Sequence, residues 1–203
     1  MTESHVRLRP FKNGDLTHIT QWFDGRVGTF ASGVTHNPTV DELAPSVAEG
    51  RDARIVETDN NEIVGVVSWS KLSYDGNFLV GIALAPEHVG TGYGALSLEQ
   101  VLAFLFDQMR AHRLEFRTAG YNHHVLGMMT TGFITIEGIL RDHLYVDGKF
   151  EVLVIGSILE HEYRAQIAAG KVLPVSHFNE EDRRKSAKSL HRILNSDRVP
   201  KSW

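Results

Sequence analysis

The chain contains no cysteine, and no long apolar run occurs in its sequence. The absence of cysteine excludes disulfide bonds, zinc–thiolate sites and cysteine nucleophiles, so covalent chemistry would have to use Ser, Lys, His or a carboxylate. No apolar stretch reaches the roughly 20 residues that a membrane span needs, and the start of the chain lacks the apolar centre of a signal peptide. We therefore expect a cytoplasmic protein with no membrane partner.

The composition is that of an ordinary globular protein, with 42% hydrophobic and 23% charged residues among 203. This length suits one domain with an appendage, because single domains commonly hold about 100 to 200 residues. The eleven histidines are scattered, and His123 and His124 are adjacent rather than four residues apart on a helix. We predict no metal site.

The net charge of −4 is distributed unevenly along the chain. Residues 164–203 hold nine Lys or Arg against four Asp or Glu, which gives +5 and leaves −9 for residues 1–163. An acidic body is compatible with a cationic or amine-bearing substrate, because a cleft focuses the field of the surrounding charges. The same acidity is also compatible with solubility alone.

The first fifty residues predict a strand, a helix and a loop. Val6–Arg9 alternates apolar and charged residues, and Asp15 stands where the N-cap of a following helix is expected. Several glycines between residues 25 and 38 predict a loop that contacts substrate. A short helix is expected over Thr39–Val47, starting from a threonine cap.

The middle of the chain predicts a sheet flanked by helices. The expected strands cover residues 54–57, 63–69, 78–85, 114–119, 139–145 and 150–159, with helices at 95–109 and 125–131. The strand, helix, strand order around residues 95–109 predicts one parallel crossover, and Asp147-Gly148 predicts a type I′ hairpin. The fold class is therefore α/β (α+β), with a mixed, mostly antiparallel twisted sheet.

After Tyr163 the sequence becomes polar and basic. Pro174 interrupts any continuous helix there, and residues 180–194 form a charged amphipathic pattern. We therefore predict a domain over residues 1–163 and a basic, helical C-terminal extension over residues 164–203.

The loop over residues 86–94, of sequence PEHVGTGYG, lies between a predicted strand and the longest predicted helix. Its alternating glycines let backbone N–H groups turn inward without obstruction by a Cβ atom. The helix N-terminus adds a partial positive charge, so loop and helix together suit an anion such as a phosphate. The GK[ST] ending of a Walker A loop is missing. A flexible turn without a ligand is the alternative.

The strand, loop and helix resemble motif A of the GNAT acetyltransferases, in which Arg or Gln precedes alternating glycines. Here Val89 occupies the Arg or Gln position and Gly90–Gly94 supplies the glycines. A second stretch resembles the C-terminal pattern of the ribosomal-protein N-acetyltransferase-like branch, with Gly132-Phe133, Glu137-Gly138, Arg141 and the Asp147-Gly148 hairpin. The resemblance spans about residues 5 to 163.

The resemblance implies that acetyl-CoA is the co-substrate and that an amine attacks its thioester directly. The pyrophosphate would bind to the loop amides, and the pantetheine arm would lie along the preceding strand. The implied cofactor-binding residues are Ile82, Leu84, Val89, Gly90, Thr91, Gly92, Tyr93, Gly94 and Asn122. Catalysis would consist of positioning, removal of the ammonium proton, oxyanion stabilisation and protonation of the leaving thiolate.

The sequence departs from the family pattern where protons are usually exchanged. Leu79 stands where many relatives carry a glutamate base, and Met128 or Met129 stands where some carry a tyrosine acid. Methionines at these positions are typical of packing.

We predict His124 as the catalytic acid that protonates the thiolate, because an imidazole can donate or accept a proton near neutral pH. Tyr121 is the alternative. Asn122 lies ten residues before Gly132 instead of the usual eleven, so this interpretation depends on the register of the turn.

Three functions are compatible with these features. The first is N-acyl transfer to a small-molecule amine or to a protein N-terminal amine. The second is a catalytically degenerate module that binds acyl-CoA as a sensor or scaffold, which the missing base and acid suggest. The third is association with nucleic acid or the ribosome through the basic tail, which would depend steeply on salt and which we do not favour. The tail is also a candidate for mediating a homodimer.

Overall fold

A seven-stranded mixed sheet organises the first of two units, Met1–Leu173 and Pro174–Trp203. The structure is a computed structural model, and it describes residues 5–23, 39–43, 53–172 and 180–194. The strands are β1 Val6–Arg9, β2 Ala53–Thr58, β3 Ile63–Lys71, β4 Asn77–Leu84, β5 Arg113–Ala119, β6 Thr135–Val146 and β7 Lys149–Leu159. Their order in the sheet is β1-β2-β3-β4-β5-β7-β6, and only β4 and β5 are parallel neighbours. The predicted fold class, with one parallel crossover, is confirmed.

Five helices belong to the first unit and one to the second, within the described residues. They are α1 Asp15–Thr20, α2 Val40–Leu43, α3 Tyr93–Ala103, α4 His123–Thr130, α5 Glu160–Ala168 and, in the second unit, α6 Glu180–Leu194. A π-helical turn, Phe104–Gln108, follows α3 and extends it toward the predicted end. No described helix combines the length and the apolar character that crossing a membrane requires.

Two cores lie on opposite faces of the sheet. The larger core packs the sheet against α3 and includes Val56, Val80, Leu102 and Leu114. A smaller cluster packs α1 against the sheet through Ile19, Trp22, Ile55 and Ala85. Neighbouring residues of a strand point to opposite faces of the sheet. Since Ile55 belongs to the smaller cluster and its neighbour Val56 to the larger core, the two cores lie on opposite faces.

A network of buried charges ties α1 to the first two strands. The Arg9 side chain donates to Glu57 Oε1 and to Asp15 Oδ2, both at 2.7 Å, and all three side chains are at most 12% exposed. Burial would raise the pKa of Glu57, but the hydrogen bonds from Arg9 and Arg7 outweigh it and lower that pKa. Burial would also raise the pKa of Asp15, but the hydrogen bonds from Arg9 and from the Lys12 amide outweigh it and lower that pKa.

The prediction that Asp15 caps α1 is wrong. Gly14 is the N-cap, with a φ of +93°, and Asp15 is the first helical residue. The carboxylate of Asp15 accepts from the Lys12 amide at 2.7 Å and from Arg9 instead. The buried ion pair with β1 therefore decides its position.

The chain leaves the sheet through a helix that passes the predicted boundary at residue 163. Helix α5 continues to Ala168, and Val172 is buried in the larger core. The first unit accordingly extends to Leu173. The loop predicted at residues 25–38, and the end of the helix predicted at Thr39–Val47, lie outside the described residues.

Candidate active site

A fork between two parallel strands forms the centre of the site. Strands β4 and β5 pair from Asn77–Arg113 to Val80–Phe116 and then separate, although β4 runs on to Leu84 and β5 to Ala119. Strand β3 pairs with β4 on the other side, from Phe78 to Leu84. Residues 81–84 therefore present an edge without a strand partner, to which an extended, amide-bearing ligand can hydrogen-bond as a strand would.

A cavity of about 380 Å³ opens beside the fork. Its lining is mostly apolar, with one amide and one imidazole side chain. The residues are Ile82, Leu84, Val89, Gly90, Gly92, Gly94, Ala95, Asn122, His124, Val125 and Met128. Such a lining suits a long, largely apolar ligand that is oriented by a few polar groups.

The loop at one end of the cavity is an anion cradle. Gly90 and Gly92 have φ values of +79° and +96°, a conformation that strains any residue with a Cβ atom. Thr91 turns its amide and its hydroxyl toward the His88 carbonyl, at 3.4 and 2.6 Å. The amides of Gly90, Gly92, Tyr93 and Gly94 donate to no acceptor within the described part of the chain. These four amides, at the N-terminus of α3, are available to a phosphate.

Helix α4 brings its own N-terminus to the same cavity. Asn122 is 6% exposed and caps the helix by accepting from the Val125 amide at 3.3 Å. His123 and His124 therefore belong to the first turn of this helix, which the sequence predicted to start only at residue 125. A Cβ atom placed on Gly90 would lie 3.4 Å from Cε1 of His124, so this imidazole borders the anion cradle.

The structure places eight of the eleven predicted site residues around the cavity. They are Ile82, Leu84, Val89, Gly90, Gly92, Gly94, Asn122 and His124. Thr91 and Tyr93 do not line it, since Thr91 bonds back to His88 and the Tyr93 ring packs edge-on against the His88 ring.

Tyr121, the alternative acid, also lies outside the cavity lining within the described residues. Burial raises the pKa of its phenol, and the charges of Glu151 and Asp147 raise it further. The phenol therefore stays protonated at neutral pH.

The sequence interpretation missed three cavity residues, Ala95, Val125 and Met128. Ala95 and Val125 follow directly from the helix starts, since each lies in the first turn of its helix. Met128 was interpreted as a packing residue, but it is half-buried and lines the cavity, whereas Met129 is 2% exposed in the core. The difference between the two follows from the register of α4.

The opposite face of the fork carries polar groups. Leu79 pairs in register with Glu115, and Gly81 pairs with Ser68, so these side chains share one face of the sheet. Glu115 accepts hydrogen bonds from Arg113 at 3.2 Å and from Arg117 at 2.9 Å. Two guanidinium groups thus fix a carboxylate beside the last pair before the strands separate.

The comparison with known proteins agrees with this geometry. The acetyltransferase (GNAT) domain model matches residues 5–131. The chain belongs to the GNAT acetyltransferase family. It is an acetyl-CoA-dependent enzyme that transfers an acyl group to an amine.

Individual GNAT relatives are distant in sequence. Spermidine N(1)-acetyltransferase from Vibrio cholerae is 21% identical over 79% of this chain and 96% of that protein. An uncharacterized N-acetyltransferase, p20, from Bacillus licheniformis is 21% identical over 54% of this chain and 62% of its own. The crystal structure of the Vibrio cholerae spermidine N-acetyltransferase with CoA and spermine superposes with a TM-score of 0.69, at 20% identity, over 79% of this chain and 98% of that one. The resemblance to the ribosomal-protein branch stays a prediction.

The cavity suits coenzyme A as this family uses it. The open amides of the glycine loop match a pyrophosphate, and the apolar lining beside the unpaired edge of β4 matches a pantetheine arm. Among the described residues, no three His, Asp or Glu side chains come together as a group that could hold a metal ion.

Proposed function

We propose that the acceptor of this acetyltransferase is a small, cationic primary amine of the polyamine type. The net charge of −9 over residues 1–163 carries this proposal, because an acidic body attracts a polycation into its cleft. The names of the relatives support it, since the Vibrio cholerae protein is a spermidine N-acetyltransferase. A protein N-terminus is the competing acceptor.

We propose that the amine reaches the thioester from the face of the fork that carries Glu115. The cofactor loop and the lined cavity lie on the side of Ile82 and Leu84, so an in-line approach uses the other side. Glu115 is held by two arginines, and we assign it to orienting the ammonium group rather than to accepting its proton. Deprotonation then proceeds through water.

The division of the chain into a catalytic body and a basic tail is also proposed. The predicted boundary at residue 163 moves to residue 173, because α5 and Val172 pack with the sheet. The body then contains every strand among the described residues and all the residues that line the cavity.

The acceptor assignment is tested by measuring thiol release from acetyl-CoA with spermidine, spermine, an aminoglycoside and a peptide with a free N-terminus. We expect kcat/KM to be at least tenfold higher for the polyamines than for the peptide, and to fall as salt screens the acidic body. A preference for the peptide would assign the enzyme to protein acetylation. A tenfold loss of kcat/KM in Glu115→Gln that arises from a higher KM for the amine supports the orienting role.

A further inference from the structure

His124 is placed at the phosphate end of the cavity. Its Cε1 atom lies 3.4 Å from the position of a Cβ atom on Gly90, within the loop whose amides are open. Its ring also lies 4.0 Å from the ring of His123, measured between centroids. The imidazole, in the first turn of α4, is therefore beside the anion cradle at the N-terminus of α3.

With its pyrophosphate on this loop, acetyl-CoA would extend its pantetheine arm and thioester along β4 toward the vertex of the fork. A Cβ atom on Gly94 would lie 3.6 Å from Leu84 Cδ1, so the glycine loop adjoins the last residue of β4. The strands separate after Val80, four residues earlier. At about 3.3 Å per residue, the vertex of the fork is roughly 13 Å from the end of the strand. His124 borders Gly90, at the loop end of this length and not at the vertex.

The loop also lacks a side-chain donor where the family pattern has one. Val89 is apolar and lines the cavity, so its side chain offers no hydrogen bond to an anion. Among the described lining residues, only Asn122 and His124 have polar side chains, and Asn122 already caps α4 by accepting from the Val125 amide.

We propose that His124 binds the pyrophosphate of coenzyme A and replaces the donor that Val89 cannot supply. An imidazole N–H bonded to a phosphate oxygen is a charge-assisted hydrogen bond, which is stronger than a bond between neutral groups. His124 is thereby a cofactor-binding residue and not the acid that the sequence predicted. The proposal concerns binding alone, so it stands or falls independently of the acceptor.

The test is calorimetric titration of His124→Ala, His124→Gln and His123→Ala with four ligands: CoA, 3′-dephospho-CoA, 4′-phosphopantetheine and pantetheine. For His124→Ala we expect CoA and 3′-dephospho-CoA to bind about tenfold more weakly, both by the same factor. The affinity for pantetheine should be unchanged. His124→Gln, which keeps an N–H donor, should recover part of the loss. His123→Ala is the matched control and should bind CoA within about twofold of wild type.

Three outcomes would overturn the proposal. Weaker binding of CoA but not of 3′-dephospho-CoA would move His124 to the 3′-phosphate. Equal loss for all four ligands would make it a structural residue. Unchanged affinities with a lower turnover would restore it as the acid.

Discussion

At the scale of single residues, the cofactor loop depends on glycines that a Cβ atom would disturb. Gly92 has a φ of +96°, and an added Cβ atom there would meet no protein atom within 4 Å, so the space beside it is open to a ligand. A non-glycine residue at such a φ costs of order 1 kcal/mol in folding. Beyond this cost in folding, a side chain at Gly92 should therefore weaken ligand binding and should not disturb the packing of the protein interior.

We predict that Gly92→Ala abolishes most of the stabilisation that acetyl-CoA gives, which for wild type is about 2.7 kcal/mol at a hundredfold excess over its dissociation constant. Gly170→Ala is the matched control, since Gly170 also has a positive φ, +68°, and open space around it. Thermal shift with and without acetyl-CoA measures both effects. If both variants kept the same thermal shift with acetyl-CoA, the loop would not be part of the cofactor site.

The residues of this loop were predictable because their chemistry lies in one continuous stretch of sequence. Alternating glycines before a helix indicate an anion site whatever the rest of the chain does. The place of His124 was not predictable in this way, because it depends on the distance to Gly90, 34 residues earlier in the chain. The same applies to Asp15, whose cap position gave way to an ion pair with Arg9.

At the scale of elements, the N-terminus of helix α4 is capped by a side chain and also faces the cavity where we expect an anion to bind. Asn122 satisfies the Val125 amide while its helix directs an N-terminus at the cavity. Asp is as good an N-cap as Asn, whereas Ala costs about 1 kcal/mol.

Substitution of this cap separates the two roles. We predict that Asn122→Ala lowers the free energy of unfolding by about 1 kcal/mol, while Asn122→Asp leaves it nearly unchanged. Asn122→Asp should nevertheless weaken CoA binding by tenfold or more, because its carboxylate repels the phosphates. Chemical denaturation and calorimetric titration provide the two readings. Undiminished CoA affinity in Asn122→Asp would place the phosphates away from α4.

The charge network between β1, β2 and α1 gives a second prediction for an element. Arg9→Ala leaves the carboxylates of Asp15 and Glu57 buried without their main partner, and we expect it to cost about 3 kcal/mol of stability. Arg7→Ala is the control, since the Arg7 side chain is 56% exposed, and it should cost less than about 1 kcal/mol.

The same network determines how stability depends on acid. The pKa values of Asp15 and Glu57 are lowered on folding, so their contribution is present above the ordinary carboxyl pKa and is lost as the pH falls through the lowered values. Denaturation measured between about pH 6 and about pH 3 should therefore show a steep loss in wild type and a shallower one in Arg9→Ala. Parallel curves would show that the network contributes nothing to acid stability.

The presence of most helices and strands could be predicted from the local sequence, but the residues at which they end could not. The strands between residues 53 and 159 lie within a few residues of their predicted limits, because turns such as Asp147-Gly148 interrupt the apolar pattern clearly. Both turn residues have positive φ, 50° and 77°, as the type I′ prediction requires. The π-helical turn after α3 and the start of α4 at His123 depend on tertiary packing, which periodicity does not report.

At the scale of the whole molecule, the chain consists of an acidic body with a fork and a basic C-terminal unit. We predict that a chain ending at residue 173 folds and binds CoA with the affinity of the full chain, because the body holds every described strand and all cavity residues. Light scattering of both chains tests the predicted role of the tail in a homodimer. Truncation at residue 163 is the contrasting variant, since it removes most of α5 and the buried Val172, and it should be unstable.

The central claim is that this molecule catalyses acyl transfer from acetyl-CoA to an amine at the fork between β4 and β5. The most direct measurement incubates the full chain with acetyl-CoA and spermidine and follows, together, thiol release and the mass of the amine. We predict thiol release that depends on the amine, equal amounts of free thiol and monoacetylated product, and loss of both in Gly92→Ala. Saturable acetyl-CoA binding without any acetylated amine, across the acceptors tested, would contradict the claim and leave a module that binds acyl-CoA without turnover.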